Sequence, residues 1–215
     1  MSRRTLEMER QRQDGMLSVE RELWSGGCKR IAGVDEAGRG PLAGPVVAAA
    51  VILPPGLFLP GLDDSKKLSP GLRDEICRAA LAAGVEFGLG VVEAAVVDEI
   101  NIYQAARRAM LGALRRLAAP PDHVLIDAVP LPEYRVAQRA IVHGDALCLS
   151  IALASVIAKV ARDSMMVCYD RVFPGYGFAR HKGYATPEHY EALRELGPSR
   201  LHRRSFNLGE AAGAG

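Results

Sequence analysis

The chain has 215 residues, of which 49% are hydrophobic and 24% are charged, and its formal net charge at pH 7 is +2. This length can bury a substantial core in one large domain, and the composition is ordinary for a soluble globular protein. The net charge is too small to indicate a nucleic-acid-binding protein, so any such surface must come from local clustering of charge.

The cysteines and the apolar segments indicate the cellular compartment of the protein. Cys28, Cys77, Cys148 and Cys168 contain no C-x-x-C pair, which favours free thiols in a reducing cytoplasm over a zinc or redox site. Residues 1–12 are charged and lack the apolar core of a signal peptide. The longest apolar tract is too short to cross a bilayer about 30 Å thick. We therefore expect a soluble, cytoplasmic protein without a membrane partner.

The first half of the chain predicts an extension, a hairpin and a helix. Residues 1–30 are polar and charged, which predicts an N-terminal extension that can be helical. Apolar runs at 31–36 and 46–53 flank a glycine-rich turn and predict two strands of a hairpin. Ser69-Pro70 joins a capping residue to a prolyl first helical position, so a helix is expected over 70–83.

Strands and helices alternate in the second half. The expected elements are a strand at 85–92, a helix at 101–117, strands at 124–126 and 138–142, a helix from 145 to about 173, and a short helix at 187–196. This order predicts an α/β architecture with a mixed sheet and a small C-terminal helical segment. Small and polar residues after Asn207 predict a disordered tail over 208–215.

Three carboxylates occupy similar places in this scheme. Asp35 and Asp127 each come where an apolar strand ends, and Asp145 precedes a helix. Strand ends gather along one edge of an α/β sheet, where these carboxylates would repel one another unless divalent cations neutralised them. Oxygen ligands favour Mg²⁺ or Mn²⁺ over zinc. The alternatives are an N-cap role for Asp145 and a loop role for Asp127.

Glu36 and the turn after it extend this site. Successive strand residues point to opposite faces, so Asp35 and Glu36 can share a metal only if the chain bends, which Gly38 permits. Arg39 lies between Gly38 and Gly40, where a guanidinium beside exposed N–H groups suits a phosphate. Carboxylates that can bind a cation lie next to an arginine that can bind a phosphate. This combination indicates metal-assisted phosphoryl chemistry. The glycine spacing excludes a Rossmann dinucleotide site.

Basic and aromatic residues are interleaved near the C-terminus. His181 and His202 lie among arginines and lysines and close to several aromatic residues. This mixture suits a nucleic-acid groove, and the alternative is a solvated face above core aromatics. Asp163 lies beside Arg162 and Lys159, where an ordinary ion pair is favoured over a metal site.

With these residues laid out, the chain resembles bacterial ribonuclease HII over about residues 31–207. The motifs that carry the resemblance are GVDEAGRGPLAGPV at 33–46, DSKKLS at 64–69, NIYQA at 101–105, the strand end at Asp127, GD at 144–145, ASVIAKVARD at 154–163, YGFARHKGYAT at 176–186 and HRRSF at 202–206. The resemblance implies a ribonuclease H-like fold, with a mixed five-stranded sheet flanked by helices and a catalytic domain at 31–207.

The resemblance also implies an activity. It implies a metal-dependent endonuclease that hydrolyses the RNA strand of RNA–DNA hybrids and incises 5′ to ribonucleotides embedded in duplex DNA. Two divalent ions, Mn²⁺ or Mg²⁺, would serve a displacement that leaves 3′-hydroxyl and 5′-phosphate ends. Its partners would be RNA–DNA hybrids and ribonucleotide-containing DNA.

The family's functional residues carry over onto matching positions. The implied catalytic and metal-binding residues are Asp35, Glu36, Asp127 and Asp145. The implied substrate-binding residues are Gly38, Arg39, Gly40, Ser65, Lys66 and Tyr184. In the family the Gly-Arg-Gly turn senses the ribose 2′-hydroxyl and the adjoining phosphate, and the tyrosine stacks on the deoxyribose beyond the junction.

Three positions depart from the usual family pattern. His143 replaces a lysine before Gly-Asp, Ala146 replaces a serine after it, and Ala128 replaces a glycine after the third carboxylate. We find no sliding-clamp-binding motif in the tail and expect a monomer. The rival hypotheses are a DNA nuclease on the same fold and a hybrid-binding protein without catalysis.

Overall fold

The centre of the structure is a five-stranded sheet, seen in a computed structural model that describes residues 3–209. The strands are β1 (Ile31–Ala37), β2 (Val46–Ile52), β3 (Glu86–Val92), β4 (His123–Asp127) and β5 (Ala137–Ile141), in the spatial order β3-β2-β1-β4-β5. β1 and β2 form the predicted antiparallel hairpin, and β3 pairs antiparallel with β2. β4 and β5 extend the sheet in parallel, so the predicted mixed sheet is confirmed.

Helices cover both faces of this sheet, because strand side chains alternate between two apolar layers. Val34 and its even-numbered neighbours pack against α4 (Ala94–Leu114). Ala49 and its odd-numbered neighbours pack on the other face, against α3 (Pro70–Ala82) and α6 (Leu149–Val172). Between residues 3 and 209, no helix combines the length and apolar character needed to cross a membrane.

Side-chain hydrogen bonds cap the start of α3 and the second half of α4. Ser69 accepts a hydrogen bond from the Leu72 N–H and caps α3, as predicted. α4 begins seven residues before the predicted start at Asn101, so that boundary was wrong. The cause is a kink at Asn101, whose φ is 67° and whose side-chain oxygen accepts from the N–H groups of Tyr103 and Gln104. Asn101 therefore caps the second half of a longer helix.

The helix predicted from residue 145 to about 173 is two helices. α5 (Gly144–Leu147) precedes α6, and the extended backbone of Cys148 separates them. α7 (Phe178–His181) and α8 (Pro187–Leu196) form the C-terminal segment, and α8 matches its prediction.

The packed chain continues past Asn207, which was the predicted end of the domain. Leu208 is buried in a cluster with Leu42 and Leu193, so residue 208 does not belong to a disordered tail. Residues 210–215 of the predicted tail lie outside the described residues.

The predicted N-terminal extension forms two helices, α1 (Arg3–Met16) and α2 (Ser18–Ser25). Met16 packs in the apolar layer that contains α3 and α6. Glu20 is buried and accepts hydrogen bonds from the backbone N–H and the hydroxyl of Ser150, over 3.0 Å and 2.7 Å. Because Ser150 lies in the first turn of α6, Glu20 satisfies a donor that the helix itself cannot.

We predict that Glu20→Ala lowers the free energy of unfolding by about 1–3 kcal/mol, because it leaves the Ser150 donors buried without an acceptor. Urea denaturation measures the change. The control is Glu22→Ala on the same helix, which removes an exposed ion pair with Arg139 and should cost much less. Equal losses for the two variants would contradict the capping role of Glu20.

Candidate active site

The C-terminal ends of β1 and β4 place two carboxylates side by side. Val34 pairs with Ile126 in the parallel register, so Asp35 and Asp127 each follow one residue later on adjacent strands. Equivalent positions on parallel strands face the same side of the sheet. That side carries α6, and Ser155 of α6 hydrogen-bonds to Asp35. Register and pleat together therefore bring the two carboxylates to one place.

Asp145 joins them from α5. One carboxylate oxygen from each of Asp35, Asp127 and Asp145 lies within 4.8 Å of the others. The Gly144 N–H donates to Oδ1 of Asp127 over 2.8 Å, which fixes the start of α5 against the end of β4. The N-cap position of α5 is His143, so the alternative of an N-cap role for Asp145 is wrong. We call Asp35, Asp127 and Asp145 the acidic triad.

The acidic triad is electrostatically strained. Asp35 and Asp145 are 4% and 5% exposed. Burial, followed by repulsion from Glu36 and Asp127, raises the pKa of Asp35 well above its usual range. Burial also raises the pKa of Asp127, against the hydrogen bond from Gly144. Carboxylates this close cannot all ionise without a cation, and oxygen donors are the ligands of Mg²⁺ and Mn²⁺. The donor set fits a divalent cation.

Glu36 lies outside the group of mutually close oxygens. Its side chain is 7% exposed, and Oε1 is 3.3 Å from Nη1 of Arg39. Burial raises the pKa of Glu36, although Arg39 lowers it. Oε2 is buried and has no hydrogen-bond partner among residues 3–209. A buried carboxylate oxygen without a hydrogen-bond partner suits a cation ligand, so Glu36 fits the role of a further ligand.

The turn after β1 exposes Arg39 and Gly40, two of the residues expected to contact a substrate, and buries Gly38. Gly38 has a φ of 96°, a conformation that glycine adopts without strain. The Arg39 side chain is 46% exposed, and Tyr184 is 42% exposed. A Cβ on Gly40 would lie 4.0 Å from Cε1 of Tyr184, so the turn and this ring form one surface. Lys159 lies 5.4 Å from the centre of the same ring.

Ser65 and Lys66, from the loop before α3, take different positions. Nζ of Lys66 lies 3.0 Å from Oδ2 of Asp145, and its side chain is 77% exposed. Burial opposes protonation of Lys66, but its hydrogen bond to Asp145 raises the pKa. Ser65 is buried, and its hydroxyl lies 2.8 Å from that of Ser155, which contacts Asp35. The Lys66 side chain is therefore accessible, whereas the Ser65 hydroxyl is buried and is linked to Asp35 through Ser155.

Three histidines form a buried cluster in the C-terminal segment. His189 is fully buried, with Nε2 3.0 Å from Nε2 of His202, and its ring stacks on His181 at 4.3 Å between centroids. Phe178 and Tyr176 pack against these rings. Burial, followed by repulsion from His189, lowers the pKa of His202 to about 4, so His202 is uncharged at neutral pH, and burial also lowers the pKa of His181 and of His189. His181 and His202 do not line a nucleic-acid groove, because they are buried with Tyr176 and Phe178 in the core, whereas the neighbouring Tyr184 is exposed.

Asp163 makes the expected ion pair. Its carboxylate lies 2.7 Å from Nζ of Lys159 and 3.6 Å from Arg73. The neighbouring Arg162 takes no part, because its guanidinium is buried against backbone carbonyl groups. Asp163 is therefore satisfied without a metal.

Comparison with known proteins identifies the family. The family model described as Ribonuclease HII matches residues 32–208. The chain belongs to the ribonuclease HII family. The ribonuclease HII of Moorella thermoacetica is 57% identical over 198 residues, which cover 92% of this chain and 96% of that protein. Membership makes the chain a metal-dependent ribonuclease.

Solved structures share the fold. Ribonuclease H2 from Pyrococcus horikoshii OT3 matches with a TM-score of 0.70 and 25% identity, over 86% of this chain and 95% of that one. Ribonuclease HII of Archaeoglobus fulgidus, solved as a complex with PCNA, matches with a TM-score of 0.70 and 26% identity, over 85% of this chain and 97% of that one. The predicted ribonuclease H-like fold is confirmed.

The departures from the ribonuclease HII pattern lie around the acidic triad. Ala128, directly after Asp127, has a φ of 54°, the left-handed conformation that its usual glycine adopts freely. His143 also has a positive φ, of 58°, and its charge would lower the pKa of Asp127. Ala146 is exposed and donates its N–H to the His143 carbonyl. The triad is therefore assembled despite a strained residue beside it.

We predict that Asp35→Asn raises the melting temperature of the metal-free protein at neutral pH. Asparagine removes a buried charge that Glu36 and Asp127 repel. Because the folded-state pKa of Asp35 is raised, wild type lacks this penalty at low pH and acquires it as the pH rises above the usual aspartate range. Thermal unfolding in EDTA from pH 4 to 8 measures the effect, and saturating Mn²⁺ should stabilise wild type more than the variant.

The control for this measurement is Asp122→Asn, at the opposite end of β4. Asp122 accepts hydrogen bonds from the N–H groups of Lys29 and Arg30, which lower its pKa. Its replacement should lower the melting temperature at neutral pH. A metal-free Asp35→Asn protein that melts at or below the wild-type temperature across this pH range would contradict the repulsion.

Proposed function

We propose that this ribonuclease hydrolyses the RNA strand of RNA–DNA hybrids and incises 5′ to single ribonucleotides in duplex DNA, leaving 3′-hydroxyl and 5′-phosphate ends. The observation that supports it is the acidic triad next to a Gly-Arg-Gly turn in which Arg39 and Gly40 are exposed. Such incision would begin the removal of ribonucleotides from DNA. A cytoplasmic location and a monomeric state stay predictions from the sequence.

The cation ligands would be Asp35, Asp127 and Asp145, with Glu36 as the fourth. Two divalent cations, Mg²⁺ or Mn²⁺, would lower the pKa of the attacking water and stabilise the leaving 3′ oxygen when bound. The protein holds the carboxylates ready through the β1–β4 register and the hydrogen bond from Gly144 to Asp127. Lys66 neutralises Asp145 and has an exposed side chain that can turn to a phosphate.

The substrate is recognised by its sugar. The 2′-hydroxyl is the group that separates RNA from DNA at a given nucleotide. Gly38 and Gly40 let the backbone approach that sugar, and the exposed guanidinium of Arg39 can bind the adjoining phosphate. The exposed ring of Tyr184 can stack on the deoxyribose beyond the junction.

The test is cleavage of duplex DNA containing one ribonucleotide, beside the same duplex without it, in Mn²⁺ and in Mg²⁺. We predict one cut 5′ to the ribonucleotide in wild type, none in the all-DNA duplex, and a loss of cleavage of at least about a thousandfold in Asp35→Asn. Binding of the duplex by the variant should persist. Asp122→Asn, on the same sheet but at its other end, should cut like wild type.

The outcomes separate the rival hypotheses. Cutting of the all-DNA duplex would indicate a DNA nuclease on the same fold. Binding without cleavage in either metal would indicate a protein that only binds hybrids. If Asp35→Asn cleaved as fast as wild type, the acidic triad would have no role in the reaction.

We predict that Tyr184→Ala lowers cleavage at a single embedded ribonucleotide by about tenfold, more than cleavage within a continuous RNA–DNA hybrid, because only the first depends on the deoxyribose beyond the junction. Tyr103→Ala is the matched control, since Tyr103 is also 42% exposed and also lies beside an arginine. A ratio of the two cleavage rates that stays unchanged in Tyr184→Ala would contradict the stacking role.

A further inference from the structure

A fully buried arginine lies beneath the Gly-Arg-Gly turn. Arg203 has no exposed surface, and its guanidinium donates five hydrogen bonds to four carbonyl oxygens. All four acceptors belong to the turn and the residues just after it: Gly38 at 2.6 Å, Arg39 at 3.0 Å, Pro41 at 2.8 Å, and Gly44 at 2.9 and 3.1 Å. The side chain is therefore bonded to almost every free carbonyl of this turn.

A second buried arginine continues this arrangement. Arg162 is also fully buried, and it donates to the carbonyl groups of Ala43 at 3.0 Å and Pro45 at 2.9 Å. Its remaining donor reaches the Lys182 carbonyl at 3.0 Å, two residues before Tyr184. A Cβ on Gly38 would collide with the Arg162 side chain, so the turn packs directly on it. Arg162 thus joins the turn to the segment that carries Tyr184.

These two charges have no direct counter-ion. Among residues 3–209, no carboxylate forms an ion pair with Arg162 or Arg203. Burial and then the nearby Arg162 lower the pKa of Arg203 to about 9, so the group is still protonated at neutral pH. A buried guanidinium without a carboxylate is costly unless its donors are satisfied, and here backbone carbonyls of one loop satisfy them. These hydrogen bonds stabilise one conformation of that loop.

The direction of the carbonyl groups fixes the direction of the N–H groups. In a trans peptide the C=O and the following N–H point opposite ways, and no described peptide is cis. Arg203 draws the Gly38 and Arg39 carbonyls inward. The N–H groups of Arg39 and Gly40 therefore point away from Arg203, and neither donates to an acceptor within the described part of the chain. They are free to donate to a ligand on the exposed side.

We propose that Arg203, assisted by Arg162, is a positioning residue for ribonucleotide specificity, because it orients the N–H groups of Arg39 and Gly40 toward the 2′-hydroxyl. This inference rests on the proposed function of the turn as the sugar sensor. Arg203 touches neither the substrate nor the acidic triad. It acts through the backbone that it holds.

The test is Arg203→Lys, which keeps the charge but has one ammonium in place of a planar fork of five donors. Single-turnover cleavage is measured on two duplexes that differ at one nucleotide, with a 2′-hydroxyl or a 2′-fluorine at the sugar. The variant should lose at least about tenfold of the wild-type preference for the hydroxyl, because the N–H groups lose their fixed direction. In Arg162→Lys the Gly38 and Arg39 carbonyls keep their hydrogen bonds to Arg203. This variant should therefore lose less of the preference for the hydroxyl.

The matched control is Arg30→Lys, which keeps the charge but replaces the guanidinium that bonds the Ala119 carbonyl and Glu86 away from the turn. It should keep the wild-type preference within about twofold. A general loss of stability would slow both duplexes equally and leave the ratio unchanged, so an unchanged ratio in Arg203→Lys overturns the proposal. An Arg203→Lys chain that does not fold also overturns it, by assigning Arg203 to the core.

The wild-type protein separates this inference from the function on which it rests. If wild type cuts the two duplexes at equal rates, the sugar-sensing function itself fails. If wild type prefers the hydroxyl and Arg203→Lys keeps that preference, only the positioning role fails.

Discussion

Mutual repulsion among buried carboxylates is the constraint around which this structure is arranged. Asp35 and Asp127 are brought together by the parallel register of β1 and β4, and α5 adds Asp145. Burial and repulsion raise the pKa of Asp35 and of Asp127. In the metal-free protein Lys66 supplies part of the missing positive charge at Asp145. Tight packing of the sheet thus maintains an arrangement of charge that a divalent cation would relieve.

The second requirement is that the Gly-Arg-Gly turn beside those carboxylates keeps a single backbone conformation. A loop rich in glycine would ordinarily have many conformations, and fixing one costs conformational entropy. The guanidinium groups of Arg162 and Arg203 supply the hydrogen bonds that select one conformation. The acidic triad and the Gly-Arg-Gly turn therefore differ in electrostatics: the triad is a group of carboxylates that repel one another, whereas the turn is held by buried guanidinium groups whose donors are satisfied by carbonyl groups.

Much of this arrangement could be predicted from the sequence, because it depends on local pattern. Asp35 and Asp127 end apolar runs, and strand ends meet at a sheet edge. Ser69-Pro70 marked the start of α3, as the structure confirms. The Gly-Arg-Gly turn was recognisable because glycine next to arginine suits close contact with a phosphate.

Other features depend on contacts between distant residues and could not be predicted locally. His181 and His202 looked like a basic groove, but tertiary packing with Phe178 buries them. Arg203 is one of several basic residues in its segment, and only the fold shows that its partners lie about 160 residues away. The same holds for Glu20, whose acceptor role toward α6 cannot be read from a polar N-terminal stretch.

We propose that one site combines divalent cations on the carboxylates with a backbone donor for the 2′-hydroxyl. The most direct measurement is a crystal structure of the protein with Mn²⁺ and a duplex containing one ribonucleotide, using the anomalous scattering of manganese. We predict manganese bound by Asp35, Asp127 and Asp145, and the 2′-hydroxyl within hydrogen-bond distance of the N–H of Arg39 or Gly40. Manganese bound elsewhere, or a ribose that lies away from this turn, would contradict it.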